Sequence, residues 1–262
     1  NGEFDRCFGD PACLLGGVLI QPEPVLDLPL LLARRVAIDA SGRIVVAGVG
    51  KKAEVAPHSL AAVRLLANGM VDASFGEDGH RLVNFGMVEE PFDSSSLYAL
   101  AVQGDDVFLG GTARVSGGEH AAIAKLDAAG DLDPGFGGDG RVSFFYNDVY
   151  ERHRVTDLVL QEDGKLLAAG VTEPNIDFDS PRDCGVARFH ADGSPDTVFA
   201  FDGVFAADAG LGLEPARYDH CNALASRGNA IVLFGDREVT GSNYDTLQIR
   251  LDVDDLFADG FD

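Results

Sequence analysis

Four of the six histidines, His58, His120, His153 and His220, fall in or beside the stretches that differ most between otherwise similar segments of the chain. Imidazoles gathered on one surface would hold a transition metal or act as bases, so these four define a candidate ligand-binding face. Ordinary surface histidine is the plainer reading, because no carboxylate stands at a fixed spacing from them. Asp192, Ser194 and Asp196, together with the run from Asp127 to Asp133, bring oxygens together as a hard cation requires. Calcium is the cofactor that such oxygens would select. Neither run has the EF-hand length or its closing glutamate. Asp5, Asp72, Asp133 and Asp196 also recur at one position, which fits side-chain capping of an adjacent turn. Arg64, Lys125, Arg188 and Arg250 recur as well, and each is expected to pair with a turn carboxylate of its own or the next segment. Nucleophile elbows, zinc-protease helices and phosphate-cradling glycine loops are not legible, and no residue is assigned a catalytic role.

Four cysteines permit three disulfide connectivities. None lies in a CxxC pair or near a histidine at zinc-ligand spacing, so two structural bridges in an oxidising compartment are expected. The preferred pairing is Cys7–Cys13 with Cys184–Cys221.

The elements that carry these residues repeat. One marker joins a basic residue to a turn and a phenylalanine, as in Arg64 to Gly76, Lys125 to Gly137 and Arg188 to Phe199. Partial copies lie at Gly2–Gly9 and from Arg250 to Gly260. Phe8, Phe75, Phe136, Phe199 and Phe257 are thus roughly sixty residues apart. A second marker is a turn followed by an apolar run that ends in Gly48, Gly111, Gly170 and Gly235. Each unit reads as four short strands, which in the first unit lie near Arg35–Ile38, Arg43–Gly48, Ser59–Leu66 and His80–Phe85. Units of roughly 21–85, 86–146, 147–207 and 208–262 follow, with an N-terminal strand at 14–20. Four antiparallel strands per unit, repeated radially, make an all-β propeller. The phase of the repeat predicts that Gly17–Ile20 completes the last unit beside Tyr244–Leu251 and closes a ring of four blades. Half of a larger dimeric ring, or an open array, is the alternative.

The Phe-Gly-x-Asp-Gly runs at Phe75–Gly79 and Phe136–Gly140, with Asp163–Leu166 and Ala187–Ser194, resemble the delta-60 repeat of bacterial secreted and surface proteins. That resemblance implies a propeller-like fold and transfers no catalytic residues. Phe199-Ala200-Phe201 departs from its Phe-Gly pattern. The closing Leu256–Asp262 is similar to a short C-terminal motif of some exported Gram-negative proteins.

Composition bounds the partners. The net charge of −23 repels nucleic-acid phosphates and anionic lipid, and the longest apolar stretch is too short to span a bilayer. The opening at Asn1 suits an exported, processed chain at the cell surface or outside it. The chain has no Trp and five Tyr, which weakens a lectin reading. In a four-stranded unit the first and third connections are short here and read as scaffold. The opposite face carries the variable loops 49–58, 86–96, 112–119, 146–154, 171–182 and 206–220. The expected function is a non-enzymatic extracellular interaction or self-assembly module, binding a protein or glycan at the cell surface or a second copy of itself. The alternative is a glycan-active or metal-dependent enzyme that uses the variable-loop face.

Overall fold

The computed structural model describes residues 30–52, 57–85, 95–115, 118–147, 152–173, 182–200, 202–207, 219–240 and 243–252. Every regular element among them is a strand. In the first unit β1 (Leu30–Ile38), β2 (Ile44–Gly50), β3 (Ser59–Leu65) and β4 (His80–Val83) pair antiparallel in chain order. The second unit repeats this with β5 (Ser96–Gln103), β6 (Asp106–Val115), β7 (Gly118–Leu126) and β8 (Arg141–Phe144). The third does so with β9 (Arg152–Leu160), β10 (Leu166–Glu173), β11 (Asp183–Phe189) and β12 (Val204–Ala207). The fourth contributes β13 (Asp219–Arg227), β14 (Ala230–Thr240) and β15 (Asn243–Asp252). A single parallel bridge, Glu119 to Arg152, joins the second unit to the third. Among the described residues the sheets do not close into a ring through backbone pairing. Gly17–Ile20, Cys7, Cys13 and the segment from Leu256 to Phe261 lie outside the described residues.

Consecutive units stack face to face, and the core is distributed over the stacking layers. One buried cluster joins Val45, Leu60 and Ala62 to Leu97, Leu109 and Leu126. The next joins Ala99, Phe108 and Ile123 to Val155, Leu166 and Ala168. The last joins Leu167, Val186 and Cys184 to Cys221, Ile231 and Leu233. Each layer holds one marker phenylalanine, Phe75, Phe136 or Phe199, fully shielded from water. Burying such a side chain contributes about 1.5–3 kcal/mol.

The recurring cation pairs with the recurring aspartate in the first three units, and in the first and third the cation also lies over the marker ring. Arg64 Nε donates to Asp72 at 2.8 Å, Lys125 Nζ lies 2.7 Å from Asp133, and Arg188 Nε donates to Asp196 at 2.8 Å. The Arg64 and Arg188 guanidiniums lie over Phe75 and Phe199 at 4.4 and 4.7 Å. Each pair is thus internal to its unit. The next unit latches on from outside: Gly76 N–H donates to the Ala129 carbonyl at 2.7 Å, and Gly137 N–H to that of Asp192 at 2.8 Å.

The second marker has an equally specific cause. Opposite Gly48, Gly111, Gly170 and Gly235 the first strand of the unit carries an extra residue, so Arg34, Tyr98, Thr156 and Asn222 lack a register partner. There the carbonyls of Leu32, Ser96, Arg154 and His220 press into the space a Cβ would take. A bulge re-aims side chains at its strand, and the glycine leaves it room.

Candidate functional site

The bulged residues link the first strands from unit to unit. The Arg34 guanidinium lies 4.6 Å from the Tyr98 ring centre, and Arg154 of the third unit lies 5.0 Å from the same ring. Thr156 Oγ1 donates to the Cys221 carbonyl at 2.5 Å. Asp157 accepts from Leu224 N–H at 2.7 Å, and burial pushes its carboxyl above the usual range despite that bond. The bulges therefore bring β1, β5, β9 and β13 together.

Where these strands begin, a cavity of about 150 Å³ opens, lined by Ser96, Tyr98, Thr112, Glu119, Arg152, His153, Arg154 and Glu173. All eight lie at strand ends on the variable-loop face. Strand alternation turns Arg152 and Arg154 to the same side of β9. Arg152 Nε donates to Glu119 at 3.0 Å and Nη2 to its other oxygen at 3.4 Å. That carboxylate raises the Arg152 pKa, against a desolvation that lowers it. Arg154 Nη2 donates to Glu173 at 3.0 Å, and Arg182 Nε lies 3.7 Å from the same Glu173 oxygen. Arg182 Nη1 also lies 2.8 Å from His220 Nε2. A guanidinium only donates, so Nε2 is the acceptor and the His220 ring is neutral at that nitrogen. Burial, then the Arg182 charge, lowers its pKa.

The four sequence-predicted histidines lie on this face but do not form one cluster. His153 is 1% exposed, lines the cavity, and accepts from Tyr146 N–H at Nδ1 at 3.2 Å. His220 reaches the site through Arg182. His120 stacks on Phe145, which meets His153 on its other side. His58 contributes its carbonyl to Ser95 N–H. The acidic set lies on the opposite face. Asp192 accepts from Ser194 N–H and Oγ, and Asp196 engages Arg188 and Lys165. Among the described residues no group of three or more His, Cys, Asp or Glu is arranged to hold a metal ion. A larger cavity of about 590 Å³ also opens on that face, between the turns at 160–165 and 226–229. Its Arg188, Asp196 and Lys165 are paired with one another in and beside the structural module.

Sequence reasoning missed Tyr98, Glu119, Arg152, Arg154 and Glu173. The available signal was positional: Glu119, Arg154 and Arg182 each end one of the variable loops, and Arg-His-Arg at 152–154 alternates about a strand.

Cys184 and Cys221 are joined, with Cα atoms 5.3 Å apart, tying β11 to β13. Among the described residues no helix is long and apolar enough to cross a membrane.

No curated protein matches the chain. Two solved structures of similar strand arrangement are glycosidases. One is an α-L-arabinofuranosidase from Clostridium thermocellum ATCC 27405, at 10% identity and TM-score 0.45, covering 85% of this chain and 69% of its own. The other is a thermostable family-43 glycoside hydrolase, at 11% identity and TM-score 0.43, covering 82% and 66%. Both likenesses are too distant to transfer residues. The expectation of a non-enzymatic interaction or self-assembly module is not carried forward: the solved structures found with a similar strand arrangement are named as glycosidases, a likeness that concerns strand arrangement alone. A family described as a domain of unknown function (DUF5122) β-propeller matches residues 40–75, 103–136 and 161–199. Those segments contain the three turn-and-phenylalanine modules, and the chain is an all-β protein of propeller-like repeats.

Proposed function

We propose that the chain is a glycan-active enzyme whose site is the cavity on the variable-loop face. The observation that carries this reading is the presence of two carboxylates, Glu119 and Glu173, in one small polar cavity. Glycoside cleavage uses a pair of carboxyl groups around the scissile bond, one exchanging a proton with the leaving oxygen and the other facing the positive charge that develops at the anomeric carbon. Arg154 and Arg182 converge on Glu173, which fixes that carboxylate and suits it to the second role. Glu119, paired with Arg152 and about one-third exposed, is the other carboxylate of the pair. Ser96 and Thr112 offer hydroxyls to sugar oxygens.

A closed ring of four blades, completed by Gly17–Ile20, is part of this proposal and rests on the repeat phase. So is export, which the Cys184–Cys221 bridge supports. The partner is then a cell-surface or extracellular glycan. The test is incubation of the whole chain with a panel of oligosaccharides and aryl glycosides, with products read by mass spectrometry. Cleavage of at least one glycosidic linkage is expected. An unchanged panel at high enzyme concentration would overturn the proposal.

A further inference from the structure

We infer that the cavity selects a sugar bearing a carboxylate, a uronic acid at the end of a chain, over its neutral counterpart. The inference rests on the glycan-active reading of the same site.

The surface as a whole is acidic, with 43 acidic against 20 basic residues. Against that background Arg152 and Arg154 line one small opening, Arg182 lies 3.7 Å from its Glu173, and Arg34 lies over the ring of its Tyr98. They meet two carboxylates there. Glu119 is taken by Arg152, and one Glu173 oxygen is shared between Arg154 and Arg182. Arg34 is engaged through the Tyr98 ring face. A guanidinium carries five N–H donors in a planar fork, so one bond to Glu173 leaves Arg154 with donors to give. A carboxylate on a sugar is the planar acceptor that such forks match.

Two further features narrow the class. A cavity of about 150 Å³ is small beside the 300–1,000 Å³ of drug-sized pockets, so it admits one terminal ring. The net charge of −23 repels a long polyanion while leaving a singly charged terminus little penalised. Ser96 and Thr112 line the same cavity with hydroxyls that a bare anion does not need and a sugar ring does.

The experiment is a titration of the full chain, followed by NMR, with D-glucuronate, D-galacturonate, D-glucose, D-galactose and acetate. These free monosaccharides have no glycosidic bond to cleave. One uronate is expected to bind about tenfold or more tighter than its parent hexose, the worth of one charge-assisted hydrogen bond. Arg154→Gln should weaken uronate binding about tenfold or more and so remove that preference, and a thermal melt confirms that the variant is folded. Arg34→Gln provides a second variant should Arg154→Gln fail to fold. A hexose bound as tightly as its uronate would overturn the inference and leave the saccharide site standing. Acetate bound as tightly as uronate would reduce the site to a plain anion site. No binding by any sugar would overturn both this inference and the reading it rests on.

Discussion

The Arg154 guanidinium lies 5.0 Å from the centre of the Tyr98 ring and donates to Glu173 at 3.0 Å. Tyr98 occupies that place because it is the extra residue of a bulge in β5, and the bulge exists because Gly111 faces it across the ladder. A repeat-defining glycine in the scaffold thus sets the position of a side chain in the pocket.

Gly111→Ala drives a methyl group into the Ser96 backbone carbonyl. Because the obstructing atom is backbone, the loss is expected at or above the upper end of the overpacking range, about 3 kcal/mol or more. Gly42→Ala, at a turn with φ of +76° and open space around it, adds backbone strain alone and should cost about 1–2 kcal/mol. Urea melts of both variants check this. Equal losses would contradict the close-packed bulge.

Arg64→Ala leaves Asp72 buried without its partner and takes the cation off Phe75. Breaking a buried pair costs about 3–5 kcal/mol. Asp72→Asn should cost less, because Asn keeps the turn bond to Ser74 N–H. Chemical denaturation of the two variants measures the difference, and a loss under about 1 kcal/mol for Arg64→Ala would show the pair to be dispensable.

The repeat and its strands were legible in the sequence because each unit must solve the same local problem, a turn that needs a glycine and a layer that needs a phenylalanine. Ser59–Leu66 and His80–Phe85 were read within two residues of β3 and β4 for that reason. The pocket was not legible, because Glu119, Arg154 and Glu173 come from three strands and become neighbours only through stacking of the units. Histidines drew the eye by residue type, yet His58 and His120 contribute a carbonyl and a ring stack respectively. The bulges were hidden too: the glycines marked their partners, but an unpaired residue leaves no trace in composition.

Stability between pH 7.5 and 5.5 should report on His220. Burial and the neighbouring Arg182 lower its folded pKa below the ordinary 6.5. The unfolded chain therefore binds the proton more readily, so the stabilising difference is full above pH 6.5 and is lost as pH falls through the window below it. Wild-type protein is expected to melt at lower temperature at pH 5.5, and His220→Gln should flatten that slope. A slope unchanged by the substitution would place the titration elsewhere.

Reduction of Cys184–Cys221 opens a link spanning 37 residues between the third and fourth units. The loop-entropy relation gives about 4 kcal/mol for a closure of that length. Cys184→Ala with Cys221→Ala should therefore lower the melting temperature and loosen β13–β15 ahead of β5–β11. Hydrogen exchange resolves the two regions, and uniform protection in the double variant would argue against a local tie.

The glycan-active reading is tested most directly by kinetics of Glu119→Gln and Glu173→Gln on whichever glycoside the wild-type chain cleaves. Each substitution keeps shape and removes charge. Each is expected to lower kcat by about 10²–10⁴-fold, with melting temperature nearly unchanged. Wild-type turnover in both folded variants would contradict the assignment of this cavity as the catalytic site.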